Sequence, residues 1–450
     1  MGHDIGNYGG GVKLKHLLGA DRPDGKPNVS REGARDGAVP SVAHHAADGR
    51  SGAARRIPLI RPNPPKLSAL ADQLAEIERS GIFSNYGPVN SRFEARMVAN
   101  MFAATGGCVT VANATLGLML AIKRAVGWQP RGRYALMPSF TFAATAHAAL
   151  WCGLTPLLCD IDRETWLPDA AAEQALLERY GDEIAVIVPN ATFGNCLDLH
   201  RYDLLSVTHG IPVVIDAAAS LGSLDADGAG FGIGSRHPLV FSLHATKTFA
   251  TAEAGLIYCA DSEVIAALRA MGNFGFGQPR SATMPGLNAK LGEVSALLGL
   301  EKLRDIESIA EHRHSLHDLY RDLLPECTFQ RMTGSRTAHQ FVSVLVPAMQ
   351  AARIADIATS LDRHGIGCGR YFVPHLAEQP FFRQACVAAD LRVTEAISRR
   401  IIALPMSDFL TADDVSRVCD VFREACRPPA PRRSRMRSAA AAQHAGGALS

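Results

Sequence analysis

"CVTVANATLGLMLAIKRAVG", residues 108–127, passes from a short β-rich run through a small polar turn into a segment of helical length. The same unit recurs along the chain. "RYALMP" (133–138) precedes helical "TFAATAHAALWCG" (141–153), and "TPLLCDID" (155–162) precedes a helix expected from about Asp169. "IAVIVPN" (184–190) then leads into "DLHRYDLLSVTHG" (198–210), and "IPVVIDAAAS" (211–220) follows. Strands that alternate with helices argue for an α/β fold, a mostly parallel sheet covered on both faces. Ligands of such sheets gather at the carboxyl ends of the strands. Asn113, Ser139, Asn190 and Asp216 are therefore expected along one edge.

Beyond "HPLVFSLHATK" (237–247) and "GLIYCA" (255–260) the pattern changes. A helical stretch from about Leu291 to Leu324 leads to a strand in "HQFVSVLVP" (339–347) and helices in "ARIADIATSLDRHG" (352–365) and "TADDVSRVCDVFREAC" (411–426). The layout this predicts has a large domain over 57–290, then a long helix and a small C-terminal α/β domain over 291–426. Residues 1–56 lack a sustained apolar period and read as a disordered extension. The tail over 427–450, with Arg432, Arg433, Arg435 and Arg437, reads as a solvated low-complexity segment.

Composition narrows the functional classes. A chain of 450 residues with 47% apolar and 20% charged residues can bury a large core. Its net charge of +2 gives no reason to expect nucleic acid or an anionic membrane as the main partner. The ten cysteines form no CxxC pair and no zinc-spaced cluster, so they read as reduced thiols, and no metal site is expected. The interval from Arg133 to Asp160 holds no charged side chain and is long enough to span a bilayer, but Pro138, Gly153 and Pro156 break it into strand, helix and strand. With no secretory signal in view, the expected location is the cytoplasm.

The chemistry gathers around Lys247, the only Lys or Arg between Arg236 and Arg269. Alone it would be an ordinary strand-end lysine. Asp216, however, ends a strongly apolar strand, where an unpaired carboxylate is costly unless a cation or solvent meets it. The turn "ANATLGL" (112–118) leaves helix-start N–H groups free for a phosphate, and "PSFTFAAT" (138–145) offers Phe142 as a flat cover. Together these describe a site for a phosphorylated pyridine aldehyde. An amine would form a Schiff base, an acid would hold the ring nitrogen protonated, and the helix start with Ser242 would hold the phosphate.

At these residues the chain resembles the DegT/DnrJ/StrS family of sugar-nucleotide aminotransferases, fold-type-I enzymes that use pyridoxal 5'-phosphate (PLP). "FSLHATKTFATAEAG" (241–255) carries the likeness most specifically. "GIFSNYGPVNSRFE" (81–94), "VIDAAASLGS" (214–223), "PGLNAKLGEVSALLGL" (285–300), "RYFVPHLAEQPFF" (370–382) and "RRIIALPMSDFLTADDV" (399–415) extend it over about residues 82–424. The resemblance implies Lys247 as the Schiff-base lysine, Asp216 as partner of the pyridine nitrogen and Phe142 as the stacking ring. It also implies Ala114, Thr115 and Ser242 in the phosphate cup. Asn288 matches an asparagine that reaches the phosphate from a neighbouring subunit, which implies a homodimer with shared sites. Arg370 and His375 match a stretch on the substrate side.

The implied activity moves an amino group, from glutamate as donor, to a keto-sugar linked to a nucleoside diphosphate. Three departures from the family pattern, at Asn113, Ala191 and Ala219, leave two other readings open: amination of a keto-cyclitol, and a catalytically silent PLP-binding or sensory protein. Relatives that dehydrate sugars carry histidine in place of the lysine, and Lys247 argues against that branch.

Overall fold

Four of the strand-to-helix turns carry their own side-chain cap. Asn113, Asp169 and Asp198 accept a hydrogen bond from the backbone N–H three residues on, and Asp261 accepts from those of Glu263 and Val264. Such caps satisfy donors that the first helical turn leaves free. The helices Ala114–Val126, Ala170–Tyr180, Leu199–His209 and Ser262–Met271 start at these residues. In the computed structural model, residues 55–427 are described. Of the extension expected over 1–56 and the tail expected over 427–450, residues 1–54 and 428–450 lie outside them. Arg55, assigned from sequence to the disordered extension, is placed, and its guanidinium pairs with Asp414.

The strands are β1 (Gly107–Val111), β2 (Tyr134–Pro138), β3 (Thr155–Cys159), β4 (Ile184–Ile187), β5 (Ile215–Asp216), β6 (Leu239–Ser242), β7 (Gly255–Cys259), β8 (Thr328–Phe329), β9 (Val342–Leu345), β10 (Val387–Ala388) and β11 (Ile401–Leu404). β10, β3, β2 and β4 pair in that order, all parallel. Parallel bridges Ile187 to Val213 and Asn190 to Asp216 carry the sheet on to β5, β6, β7 and β1. β7 alone runs antiparallel to both neighbours. The interval 133–160 forms β2, the helix Ala143–Trp151 and β3, and among the described residues no helix is long and apolar enough to cross a membrane.

Alternation along the strands sends side chains to opposite faces. Val109, Val111, Met137, Val240 and Ile257 pack in one core, while Cys108, Leu136, Phe241, Leu256 and Tyr258 pack in another. Both faces are thus covered, as the alternation predicts. A third core lies between the antiparallel sheet β11-β9-β8 and the helices Ile306–Leu323, Ile354–Arg363 and Ala412–Cys426.

The long helix expected over 291–324 is two helices, Glu293–Lys302 and Ile306–Leu323. Between them the N–H groups of Arg304 and Asp305 bond three residues back, to Glu301 and Lys302. This tightened turn lets Leu303 and Ile306 stay in a core of the large sheet while Leu316 and Tyr320 enter the third core. The boundary expected after residue 290 is also crossed twice. β10 extends the large sheet, and Ile57 packs into the third core.

Candidate active site

The site is built where β5 and β6 end. Asp216 closes β5 and is 3% exposed. Its Oδ2 accepts the Thr145 hydroxyl at 2.5 Å, and its Oδ1 accepts the Ala218 N–H at 3.1 Å. Thr141 Oγ1 lies 3.1 Å behind that of Thr145. The backbone of Asp216 is held as well, its carbonyl accepting the Ala191 N–H at 2.9 Å and the Asn190 side-chain amide at 3.4 Å. Burial pushes the Asp216 carboxyl above the usual carboxylate range, and the hydrogen bonds from Thr145 and Ala218 and the charge of Lys247 pull it back.

Lys247 lies on the connection between β6 and β7. Since those strands are antiparallel neighbours, the connection returns on itself: Leu243 donates to the Ala254 carbonyl and Thr251 to that of Leu243, both at 2.9 Å. Lys247 Nζ donates to Gln340 Oε1 at 3.0 Å. Burial pushes its amine down to about 8, while the Asp216 carboxylate works the other way. An amine so placed keeps a useful neutral, nucleophilic fraction near neutral pH. Beside it, His244 Nδ1 accepts the Thr246 N–H at 3.2 Å, which leaves Nε2 protonated toward Glu253, 3.6 Å away.

Asn113 Oδ1 accepts the Leu116 N–H at 3.0 Å, so the cap takes one of the free donors of its helix. The N–H groups of Ala114 and Thr115 have no acceptor among the described residues. Gly255 on the neighbouring strand β7 lets that strand pass close to this turn, because a Cβ there would stand 2.7 Å from the Ala114 nitrogen. Free donors at a helix start form an anion cradle. Ser242 is buried at the end of β6, its hydroxyl accepting the His244 N–H at 3.4 Å. Phe142 is 61% exposed at the start of its helix, with its ring 6.5 Å from that of Phe372.

The other expected residues divide. Asn288 is exposed, and the adjacent Ala289 carbonyl accepts the Ala112 N–H at 2.7 Å, which sets Asn288 beside the same strand-to-helix turn. His375 is buried, with Nδ1 2.8 Å from the Ser139 hydroxyl and Nε2 3.5 Å from Glu378. Arg370 is engaged elsewhere, donating to the carbonyls of Ser398 and Ile401 at the end of the helix Arg392–Arg400. Its Nε and Nη2 are thus taken up by backbone carbonyls. Two residues touching the site carry no sequence expectation: Thr145 and Gln340. Thr145 could have been noticed as a hydroxyl four residues from Thr141 on an otherwise apolar helix. Gln340 gave no local signal.

A buried carboxylate, a lysine with a depressed amine and a free helix start, all at the carboxyl edge of one sheet, define a PLP-dependent enzyme of the aminotransferase fold. The residues fit that cofactor: the N–H groups of Ala114 and Thr115 are left free for a phosphate, and Asp216 offers a buried anion to a ring cation. The profile of the DegT/DnrJ/EryC1/StrS aminotransferase family matches residues 67–423, and the chain belongs to that family. It is 34% identical over 375 residues to Protein Rv3402c of Mycobacterium tuberculosis, covering 82% of this chain and 90% of that one. A solved Bacillus cereus structure described as a PLP-dependent aminotransferase is 35% identical, with TM-score 0.78 over 82% of this chain and all of its own. DesI, solved in the presence of its TDP-sugar product, is 30% identical, with TM-score 0.74 over 82% of this chain and 93% of its own.

Proposed function

We propose that this aminotransferase moves an amino group from glutamate to a keto-sugar carried on a nucleoside diphosphate. The observation that carries the chemistry is the pairing of a depressed Lys247 amine with the buried Asp216 carboxylate. The likeness to DesI, with its TDP-sugar product, supports the substrate class.

In this reading the N–H groups of Ala114 and Thr115 and the Ser242 hydroxyl hold the cofactor phosphate, Phe142 covers its ring, and Asp216 holds a proton on the ring nitrogen. Bound there, PLP supplies an electron sink for the charge left at a substrate carbon when its proton is removed. Lys247 Nζ takes that proton as base and, as acid, returns it two atoms along, on the far side of the substrate nitrogen, which an amine near pKa 8 does well at neutral pH. His375 and the aromatic wall of Phe372 and Tyr371 flank the substrate side. The active unit is a homodimer in the cytoplasm, with Asn288 reaching the phosphate of the neighbouring subunit's site. The large cofactor-binding domain is read as 57–290 and the small C-terminal one as 291–426, apart from the crossings made by β10 and Ile57.

The test is the visible spectrum of the PLP-loaded protein before and after glutamate, beside Lys247→Ala. A lysine-dependent band that glutamate bleaches is the expected result, followed by amination of TDP-linked 3- or 4-keto-sugars in a substrate panel. A Lys247→Ala variant with full turnover, or a band that glutamate leaves unchanged, overturns the assignment.

A further inference from the structure

Gln340 lies in the segment that enters β9, and that segment is anchored on both sides of the amide. The Ala338 N–H donates to Ser223 Oγ at 3.0 Å, and the Ala338 carbonyl accepts the Thr248 hydroxyl at 3.3 Å. The His339 carbonyl accepts Arg313 Nη1 at 2.9 Å. Phe341, on the other side, stacks on Tyr371 with ring centroids 4.8 Å apart. Arg313 Nη1 also reaches the Thr248 hydroxyl at 3.3 Å, so one buried guanidinium spans the residue after Lys247 and the residue before Gln340. That guanidinium is fixed by Asp408, which accepts its Nε at 2.8 Å.

The orientation of the Gln340 amide follows from its partners. Oε1 faces Nζ, which donates to it, and Nε2 turns to the Thr246 hydroxyl 3.4 Å away. The amide thus grips both Thr246 and Lys247.

Resting on the reading of Lys247 as the reacting amine, we propose that Gln340 is a positioning residue of this site, a neutral acceptor that holds the free Lys247 amine in place between its bonding events. Neutrality is the point of the choice. A carboxylate at that distance would favour the charged ammonium and withdraw the nucleophile, whereas an amide fixes the nitrogen and leaves its lone pair available. The charged and titratable groups around the amine are Asp216 from β5, His244 and Glu253 from its own connection, Arg313 through Thr248, and His339 beside Gln340.

The experiment is capture of PLP by the cofactor-free full chain as a function of pH. The Lys247 amine adds to the aldehyde carbon and the aldehyde oxygen leaves as water; borohydride then fixes the bond for mass measurement. Gln340→Glu, nearly isosteric, is expected to move the midpoint of capture upward by about one pH unit or more. Gln340→Leu is expected to slow capture about tenfold. Pyridoxamine phosphate, which forms no bond to lysine, should bind both variants within about twofold of the original chain. Capture by both variants at the original rate and midpoint overturns the proposal, as does an equal loss of pyridoxamine phosphate binding. Should Gln340→Leu fail to fold, the Gln340→Glu midpoint alone decides. Failure of the underlying reading looks different: the unsubstituted chain would then show no capture that Lys247→Ala abolishes.

Discussion

Replacing Thr145 by valine keeps the shape of a fully buried side chain and removes one hydroxyl. That hydroxyl donates to Asp216 Oδ2 at 2.5 Å, while the Ala218 N–H serves the other oxygen. A hydrogen bond to a buried charged group contributes about 1.5–3 kcal/mol, so the carboxylate loses roughly that much support. Its pKa, already raised by burial, rises further, and its hold on a ring cation weakens. At about 1.4 kcal/mol per tenfold, PLP affinity should fall roughly 10- to 100-fold. The assay is a fluorescence titration of the cofactor-free protein with PLP and with its 1-deaza analogue, in which CH replaces the ring nitrogen. The analogue should bind Thr145→Val nearly as well as the unsubstituted chain, and Thr145→Ser should recover most of the PLP affinity. If Thr145→Val binds PLP normally, or loses both ligands equally, the reasoning about Asp216 is refuted.

Asp408 lies between two buried cations, Lys302 Nζ at 3.2 Å and Arg313 Nη2 at 2.5 Å; Asp408→Asn should cost about 3–5 kcal/mol of stability in a urea titration, because both charges stay buried without a counterion. His317 and His339 stack with ring centroids 4.0 Å apart, and burial holds His317 down to about 4 and His339 well below the ordinary range. Below about pH 6.5 the unfolded chain binds protons that these folded imidazoles refuse, so stability should fall by up to about 1.4 kcal/mol per pH unit for each, until about pH 4 for His317. Urea midpoints between pH 7.5 and 5 should show this slope, and His317→Phe should flatten it. Arg370→Met removes two bonds to carbonyls and should lower stability by about 1–3 kcal/mol while leaving PLP affinity unchanged, as measured by melting and titration.

What could be read from the sequence was whatever local chemistry dictates. The strand-turn-helix units over 107–216 stand where apolar runs and caps such as Asn113 and Asp169 put them. Asp216 and Lys247 were conspicuous because a charge in an apolar run needs a reason. The reversal of β7 was not legible, since "GLIYC" reads the same in either direction. Nor was the break at 303–305, which follows from two cores pulling on one helical stretch. Arg370 looked available for a substrate until the helix end it serves was in view. Gln340 meets Lys247 across 93 residues of chain, and no local pattern carries such a contact.

The reversed strand also sets an order of assembly. Among the described residues, β1 has β7 as its only strand partner, Gly107 opposite Cys259 and Val111 opposite Gly255. A chain emerging from the ribosome therefore exposes the β-rich stretch Gly107–Val111 with a bare edge until residue 259 is out. Through that interval the donors of Ala114 and Thr115 have no fixed position relative to Lys247. Both ends of the site are therefore completed by the same late pairing.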